Sequence, residues 1–435
     1  MTQAASSHAI NDDQFYEAFE FAFPLYEMAK LRWNALFDPS NSNYTGLNAF
    51  WHQEKLATAA DRWVTTPNID TLYSVAWLDL SNAPVRVKLP PADGRYLSIA
   101  LLDMYTNNFA LLTYRDFGVA GGEAILVGPN WTGPLPKNET VIQAPFDDVM
   151  LFARVLVYDD VDLPKARAIQ HALAVVPMGE AQSKDAPARS KDAGEDFVSL
   201  IRDALSRNPP KSYEAGIRRL LEQVGLLPSE LVDDVAFNAS MRRWNELIPD
   251  FLARLRGYLA TARKSIDHWI YSPRNLGDFG TSYLLRATVA RGGLLALPIT
   301  EAFYVNTERD FRDEELKGSN IYCLRLPESG IPTDAFWSLT LYENMPSGAR
   351  FLVDNPLNRY ALTNRTTKSE TGAGVTIWIS HERPPAALEA NWLPAPAGPF
   401  RLVLRAYYPK PALLDGSFRL APIRKVANFD ARSAE

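Results

Sequence analysis

Apolar residues recur with two different periods along this chain, and the change of period divides it into blocks. After Asn11 and Asp12, apolar side chains fall at Phe15, Ala18, Phe19, Ala22, Leu25 and Met28, close to helical spacing. A capped helix is predicted there, kinked or split at Pro24, which has no N–H to give an interior turn. From about residue 65 to 158 the period drops to two. Val85–Leu89 (VRVKL) alternates cleanly, as a half-buried strand does. Strands are also predicted at 95–102, 124–127 and 150–158, with Pro90, Pro91, Asp93 and Gly94 marking one of the turns between them. Helical spacing returns over about 163–268. A last β-rich stretch carries strands at 336–342, 359–363, 375–380 and 400–407. In the final strand Phe400, Leu402, Leu404 and Ala406 share one face, and Arg401, Val403, Arg405 and Tyr407 share the other.

This order predicts an α+β protein: two jelly-roll-like β-sandwich domains with an intervening helical region. The expected divisions are N-terminal helices over 1–40, a first jelly-roll-like domain over 41–162, a helical region over 163–270 and a second jelly-roll-like domain over 271–435. No short-period repeat is visible, and a diverged duplication of the two β-rich ends stays open. The 435 residues fit two or three domains of about 150 each. With 47% hydrophobic and 22% charged residues, the chain is globular rather than disordered.

Charge and motif content narrow the function. A net charge of −6 argues against a dedicated nucleic-acid binder. No apolar run reaches the length of a membrane span. The opening residues show no basic and apolar leader, so the cytoplasm is the expected location. The single cysteine, Cys323, has no partner for an internal disulfide. No P-loop, no G-x-G-x-x-G and no G-x-S-x-G motif occurs, so no organic cofactor is expected. The five histidines form no H-x-H or H-E-x-x-H pair, and no metal site is expected. Asp70, Asp79 and Asp103 still leave a divalent cation open as oxygen donors.

Two polar motifs carry the candidate chemistry. In Thr66–Ser74 (TPNIDTLYS), Pro67 should hold Thr66 extended, while Asn68 and Asp70 suit local amides. The run is either a hydrogen-bonded turn entering a strand or a pocket edge bearing Asp70 and Tyr73. Counting by two from Leu97 puts Ile99, Leu101, Asp103 and Tyr105 on one strand face. A carboxylate that ends an apolar row is costly to bury unless it is paired or used. Arg95 and Arg154 are candidate partners. The expected site is therefore a pocket in the first β domain. Asp103, Asp70 and Tyr73 would be catalytic there, and Tyr105, Arg95 and Arg154 would bind substrate. Arg286 and Arg405 also interrupt apolar runs, and each taken alone reads as a structural pair. His52, beside charged residues, is expected to be exposed.

Several runs together carry a resemblance: Thr66–Ser74, Gly94–Tyr96, Asp103–Phe109, Asp278–Ala287, Glu301–Tyr304, Phe336–Tyr342, Asn391–Pro396 and Leu404–Pro409. In their order they resemble the bacterial tandem family that joins domain of unknown function 1254 to domain of unknown function 1214, over about residues 40–425. The resemblance implies two jelly-roll-like β domains with added helices, and an oligomer. It brings no catalytic residues. The expected function is an enzyme acting on a small organic molecule, a hydrolase or lyase using carboxylate and tyrosine acid–base chemistry. The alternative is a noncatalytic ligand-binding or assembly protein of jelly-roll type. The expected partners are a small molecule and further copies of the chain, with neither nucleic acid nor membrane.

Overall fold

The computed structural model describes residues 10–62, 65–180, 185–229, 234–261, 265–369 and 374–430. It opens on helix α1 (Asp12–Phe37). The Asn11 side chain accepts from the Gln14 amide at 3.0 Å, and the Gln14 side chain accepts from the Asn11 amide at 3.1 Å. This capping box satisfies two of the amides that a helix start leaves over. The helix runs on through Pro24, against the split expected there. Pro24 sits among buried Phe21, Phe23 and Leu25. Each such side chain contributes roughly 1.5–3 kcal/mol, enough together to offset the roughly 3 kcal/mol of an interior proline.

The first β unit holds β1 (Phe50–His52), β2 (Thr71–Asp79), β3 (Val85–Leu89), β4 (Leu97–Leu102), β5 (Asn108–Thr113), β6 (Gly122–Val127), β7 (Thr140–Gln143), β8 (Asp148–Leu156) and β9 (Ala174–Pro177). Short helix α2 (Tyr114–Phe117) follows β5, and α3 (Leu163–His171) precedes β9. The strands form a sheet ordered β1-β2-β8-β4-β5 and a second ordered β7-β6-β3-β9. Leu72, Ile99 and Leu151 of the first sheet meet Val85, Val87 and Leu126 of the second in one core. Strand β9 pairs with β3, so this unit reaches past the division expected at 162. The edge of β3 would otherwise stay open.

A helical layer follows: α4 (Ala193–Arg207), α5 (Ala215–Gln223), α6 (Asp234–Thr261) and, later, α7 (Tyr283–Gly292). Aromatic rings lock it to α1, with Phe15 5.0 Å from Trp244 and Phe19 5.6 Å from Phe197. The layer covers part of the outer face of the first sheet, at Trp77, Met150 and Leu102. No described helix is long and apolar enough to cross a membrane.

The second β unit holds β10 (Ser265–Ile266), β11 (Trp269–Tyr271), β12 (Ala302–Thr307), β13 (Ile321–Leu326), β14 (Thr333–Asn344), β15 (Arg350–Leu352), β16 (Ala361–Thr363), β17 (Val375–Ser380), β18 (Trp392–Pro394), β19 (Phe400–Pro409) and β20 (Arg424–Val426). Helix α8 (Pro411–Leu414) lies between the last two. One sheet runs β10-β11-β12-β19-β14-β15 with β16 on β14, and the other β18-β17-β13-β20. Leu402 and Leu404 turn into the core between them, as the alternation predicts.

The two units repeat one another. Replacing β1, β2, β8, β4 and β5 by β11, β12, β19, β14 and β15 reproduces the first sheet order, and replacing β7, β6, β3 and β9 by β18, β17, β13 and β20 reproduces the second. Even the parallel pair β6–β7 has its counterpart in β17–β18. The duplication left open by the sequence is present in the topology. The two central sheets turn their outer faces toward each other, where Tyr96 of β4's approach lies 4.9 Å from Tyr407 and 5.7 Å from Phe336, ring to ring.

Candidate functional site

A cavity of about 1990 Å³ lies between these faces. Its first wall comes from β2 and β8. Cross-strand pairing aligns Tyr73 with Arg154, Val75 with Phe152 and Trp77 with Met150, and all six line the cavity. Its second wall comes from β12 and β19, with Tyr304 opposite Arg405 and Tyr407 two residues further on. Helices α1 and α7, the 293–296 loop and segments 41–45, 51–57 and 270–276 supply much of the remaining lining.

The walls carry matching polar rows. In the first unit Tyr73, Arg154 and Ser98 stand side by side on β2, β8 and β4. In the second, Tyr304, Arg405 and Ser338 stand at the corresponding places on β12, β19 and β14. The acids also correspond: Asp70 and Glu301 each lie three residues before their tyrosine. Each acid bonds to the other unit. Ser338 donates to Asp70 at 2.5 Å, and Tyr96, 2.9 Å from Ser98 Oγ, donates to Glu301 at 2.6 Å.

The two arginines differ in what holds them. Arg405 donates through Nη1 to the Tyr342 hydroxyl at 2.9 Å and the Thr340 hydroxyl at 3.3 Å, and through Nη2 to the Thr66 carbonyl at 3.2 Å. At the matching places on β4 stand Ala100 and Leu102, which accept nothing. Arg154 Nη2 donates to the Leu295 carbonyl at 3.0 Å, while buried Nη1 has no hydrogen-bond partner among the described residues. No carboxylate pairs with it there either. Its guanidinium rests 4.1 Å from the Phe152 ring centre and 5.6 Å from that of Tyr73. An arginine stays charged even here; Glu301 feels its charge without an ion pair between them, and one donor is left unpartnered.

Both accepting carbonyls belong to residues in the left-handed region, Thr66 at φ 53° and Leu295 at φ 65°. Such backbone costs about 1–3 kcal/mol for a non-glycine residue and persists where surroundings enforce it. Thr66 is therefore not extended, despite Pro67. The Asn68 side chain organises this turn, accepting from the Asp70 and Thr71 amides at 2.6 and 3.2 Å and donating to the Tyr407 hydroxyl at 3.0 Å. Burial pushes the Tyr304 and Tyr407 pKa values up, so both remain phenols at neutral pH.

The structure brings together only two of the six residues singled out from the sequence, Tyr73 and Arg154. Asp70 does not line the cavity but lies against Ser338 of the second unit, with its pKa raised by burial against the pull of Ser338, Arg405 and Arg365. Asp103 lies at the opposite end of the sheet, because β4 ends at Leu102 and the counting by two stops there. It accepts from the Tyr105 amide at 2.9 Å, the Asn107 amide at 2.9 Å and the Asn107 side chain at 3.0 Å, a closed turn. Burial raises its pKa too, with Asn107 and Arg286 opposing. The Tyr105 hydroxyl donates to the Asn208 carbonyl at 2.7 Å. Arg95 grips Asp162 with both nitrogens, at 2.7 and 2.9 Å. These three residues brace the fold away from the cavity.

His52 is half-buried rather than exposed, with Nδ1 2.8 Å from Ser74 Oγ. Burial and His171 lower its pKa to about 4, leaving a neutral ring at the cavity edge. Among the described residues no three His, Cys, Asp or Glu side chains are placed to hold a metal ion. Tyr304, Tyr407 and Asn68 were not singled out as site residues. The signal for them was the pair of runs PNIDTLY (67–73) and PITEAFY (298–304), together with the polar face of β19.

Comparison with known proteins follows the duplication. A family described as Protein of unknown function (DUF1254) matches residues 47–177, and one described as Protein of unknown function (DUF1214) matches residues 301–411. The chain belongs to the tandem family that carries both. Each matched segment falls within one of the two β units, so both walls of the cavity are family structure. The crystal structure of the VPA0106 protein from Vibrio parahaemolyticus is similar at 22% identity and a TM-score of 0.71, over 95% of this chain and 99% of that one. Identity at that level speaks for the fold alone. A putative uncharacterized protein from Burkholderia cenocepacia aligns over 97% of this chain and 90% of that one, at 14% identity and a TM-score of only 0.45. No curated protein matches.

Proposed function

We propose that this protein holds a small organic anion between its two central sheets and acts on it by acid–base chemistry, as a hydrolase or lyase without an organic cofactor. The observation that carries the reading is Arg154, buried on the cavity wall with one donor unpartnered. A buried guanidinium without a carboxylate is costly unless a ligand supplies the anion, and its fork suits a carboxylate. Tyr304 and Tyr407 add phenol donors on the facing wall, as groups that stabilise developing negative charge should. Tyr73, paired across from Arg154, is the acid–base group nearest the bound anion. Glu20 of α1 lines the same cavity, and burial and Glu17 raise its pKa, the direction an acid–base carboxylate needs.

A noncatalytic ligand-binding role is the second reading. It is favoured by the way Asp70, bonded by Ser338, and Asp103, closed into its own turn, are both already tied into hydrogen bonds. A panel of organic acids, followed by calorimetry and by product formation, separates the two. The enzyme reading expects binding and product from wild type, no binding by Arg154→Met, and binding without product by Tyr73→Phe. Binding without product from wild type favours the second reading. Undiminished binding by Arg154→Met overturns both.

The same proposal takes each two-sheet unit as jelly-roll-like, since the chain crosses repeatedly between its two sheets. It takes the protein as a cytoplasmic homo-oligomer that covers sheet edges such as β5 and β10. A light-scattering mass of one chain at micromolar concentration would remove the oligomer.

A further inference from the structure

The cavity is far larger than a small organic acid needs. Pockets for drug-sized ligands run to roughly 300–1,000 Å³, against about 1990 Å³ here. The space beyond Arg154 has a defined chemistry. Along β2 and β8 the inward positions change from Tyr73 and Arg154, through Val75 and Phe152, to Trp77 and Met150. The row passes from cationic to wholly apolar over four residues, or about 13 Å of strand. Facing parts of the cavity continue it, with Leu31 and Ala35 from α1 and Leu284 from α7.

The duplication shows that the fold does not impose this apolar row. Stepping along β12 and β19 in the same direction from Tyr304 and Arg405 leads to Asn306 and Val403, and then to Arg401. The second wall therefore stays polar where the first becomes apolar. An occupant must present one anionic end to Arg154 and an apolar body to one wall only.

Resting on the anion-binding reading above, we infer that the ligand is an amphipathic monocarboxylate, whose apolar body of about ten carbons lies along Val75, Phe152, Trp77 and Met150. A dicarboxylate would place its second charge against Trp77 and Met150, where desolvation opposes it.

Calorimetric titration of the full chain with acetate, butanoate, hexanoate, octanoate and decanoate, all below their aggregation concentrations, tests this. Affinity should rise about three- to fourfold for each methylene that reaches the apolar row, and should level off near decanoate. Val75→Thr keeps the shape of the side chain and adds a hydroxyl to the row. It should weaken decanoate about tenfold or more and leave acetate unchanged. Suberate, with a carboxylate at each end of a chain matched to octanoate, should bind more weakly than octanoate. Affinity that does not change with chain length, or suberate that equals octanoate, overturns this inference while leaving anion binding intact. Decanol binding as tightly as decanoate overturns the anion-binding reading itself.

Discussion

Two rows of the same three residues, Tyr73–Arg154–Ser98 and Tyr304–Arg405–Ser338, occupy corresponding places in the two halves, yet only one arginine is closed. On β14, Thr340 and Tyr342 accept from Arg405. On β4 the matching Ala100 and Leu102 leave Arg154 with a donor unused. One fold position thus yields a strut in one half and, in the other, an arginine with a donor left over. The choice is made by two neighbouring side chains rather than by the arginine. Residue type alone does not mark a site; its supply of local partners does.

The sharpest break in the comparison is expected from Arg405→Met. It takes the donor away from the Tyr342 and Thr340 hydroxyls and the Thr66 carbonyl and leaves nearby Asp70 without its main cation. Stability should fall by about 3–5 kcal/mol, read by urea unfolding; a loss below 1 kcal/mol would deny Arg405 its role as a strut. Arg154→Met should do the reverse. Binding of an organic acid should lose about 2–5 kcal/mol, while stability changes by less than about 1 kcal/mol, since one hydrogen bond is lost and one buried charge relieved. Parallel calorimetry and unfolding check both halves of that statement.

A smaller effect is expected at the far end of the sheet. Asp103→Asn keeps an acceptor for the two backbone amides but turns an amide toward the Asn107 side chain. It should cost about 1–3 kcal/mol of stability and leave binding per folded molecule unchanged. Lost binding in a folded Asp103→Asn protein would return Asp103 to the site.

The acids offer a pH test. Burial raises Glu301 to about 7, against the opposing pull of Tyr96, Arg115 and Arg154. An acid raised on folding favours the fold while protonated. Its contribution is full below the unfolded value of about 4.3 and is lost as pH rises through about 7. Wild type should therefore lose stability relative to Glu301→Gln between about pH 5 and about pH 8, by up to about 1.4 kcal/mol per pH unit. Parallel urea midpoints across that range would remove Glu301 from the account. The mildest change, Ala100→Thr, supplies Arg154 with the hydroxyl its counterpart has. It should weaken anion binding by about 0.5–1.5 kcal/mol, and unchanged affinity would mean that Arg154 needs more than a neighbour to close it.

Much of the fold was legible because alternation is local. Val85–Leu89 is a strand with the alternating burial the sequence predicts, and the two faces of Phe400–Tyr407 separate into core and cavity as counted. Of the kink or split expected at Pro24, the split is absent, because the proline's penalty is local while the burial that offsets it comes from packing against residues far along the chain. The first division misled because β9 joins its sheet after an intervening helix. The site was half legible. Tyr73 and Arg154 drew notice as polar groups in apolar strands, but Asp103 drew the same notice and is bound into a turn. Separating them required knowing which residues stand beside each one on neighbouring strands. Only tertiary pairing supplies that.

The exchanged bonds of Asp70 with Ser338 and of Glu301 with Tyr96 have a consequence for how such a site can change. In a dimer of identical halves, one substitution alters both copies of an exchange at once, and any gain at one is tied to a loss at the other. Covalent linkage of the halves removes that tie. Each copy of the strand pair then varies alone, so β14 holds Thr340 and Tyr342, which tie Arg405 down, while β4 holds Ala100 and Leu102, which leave Arg154 a free donor. Joining two alike halves in one chain is what permits the interface to close one arginine and leave the other open.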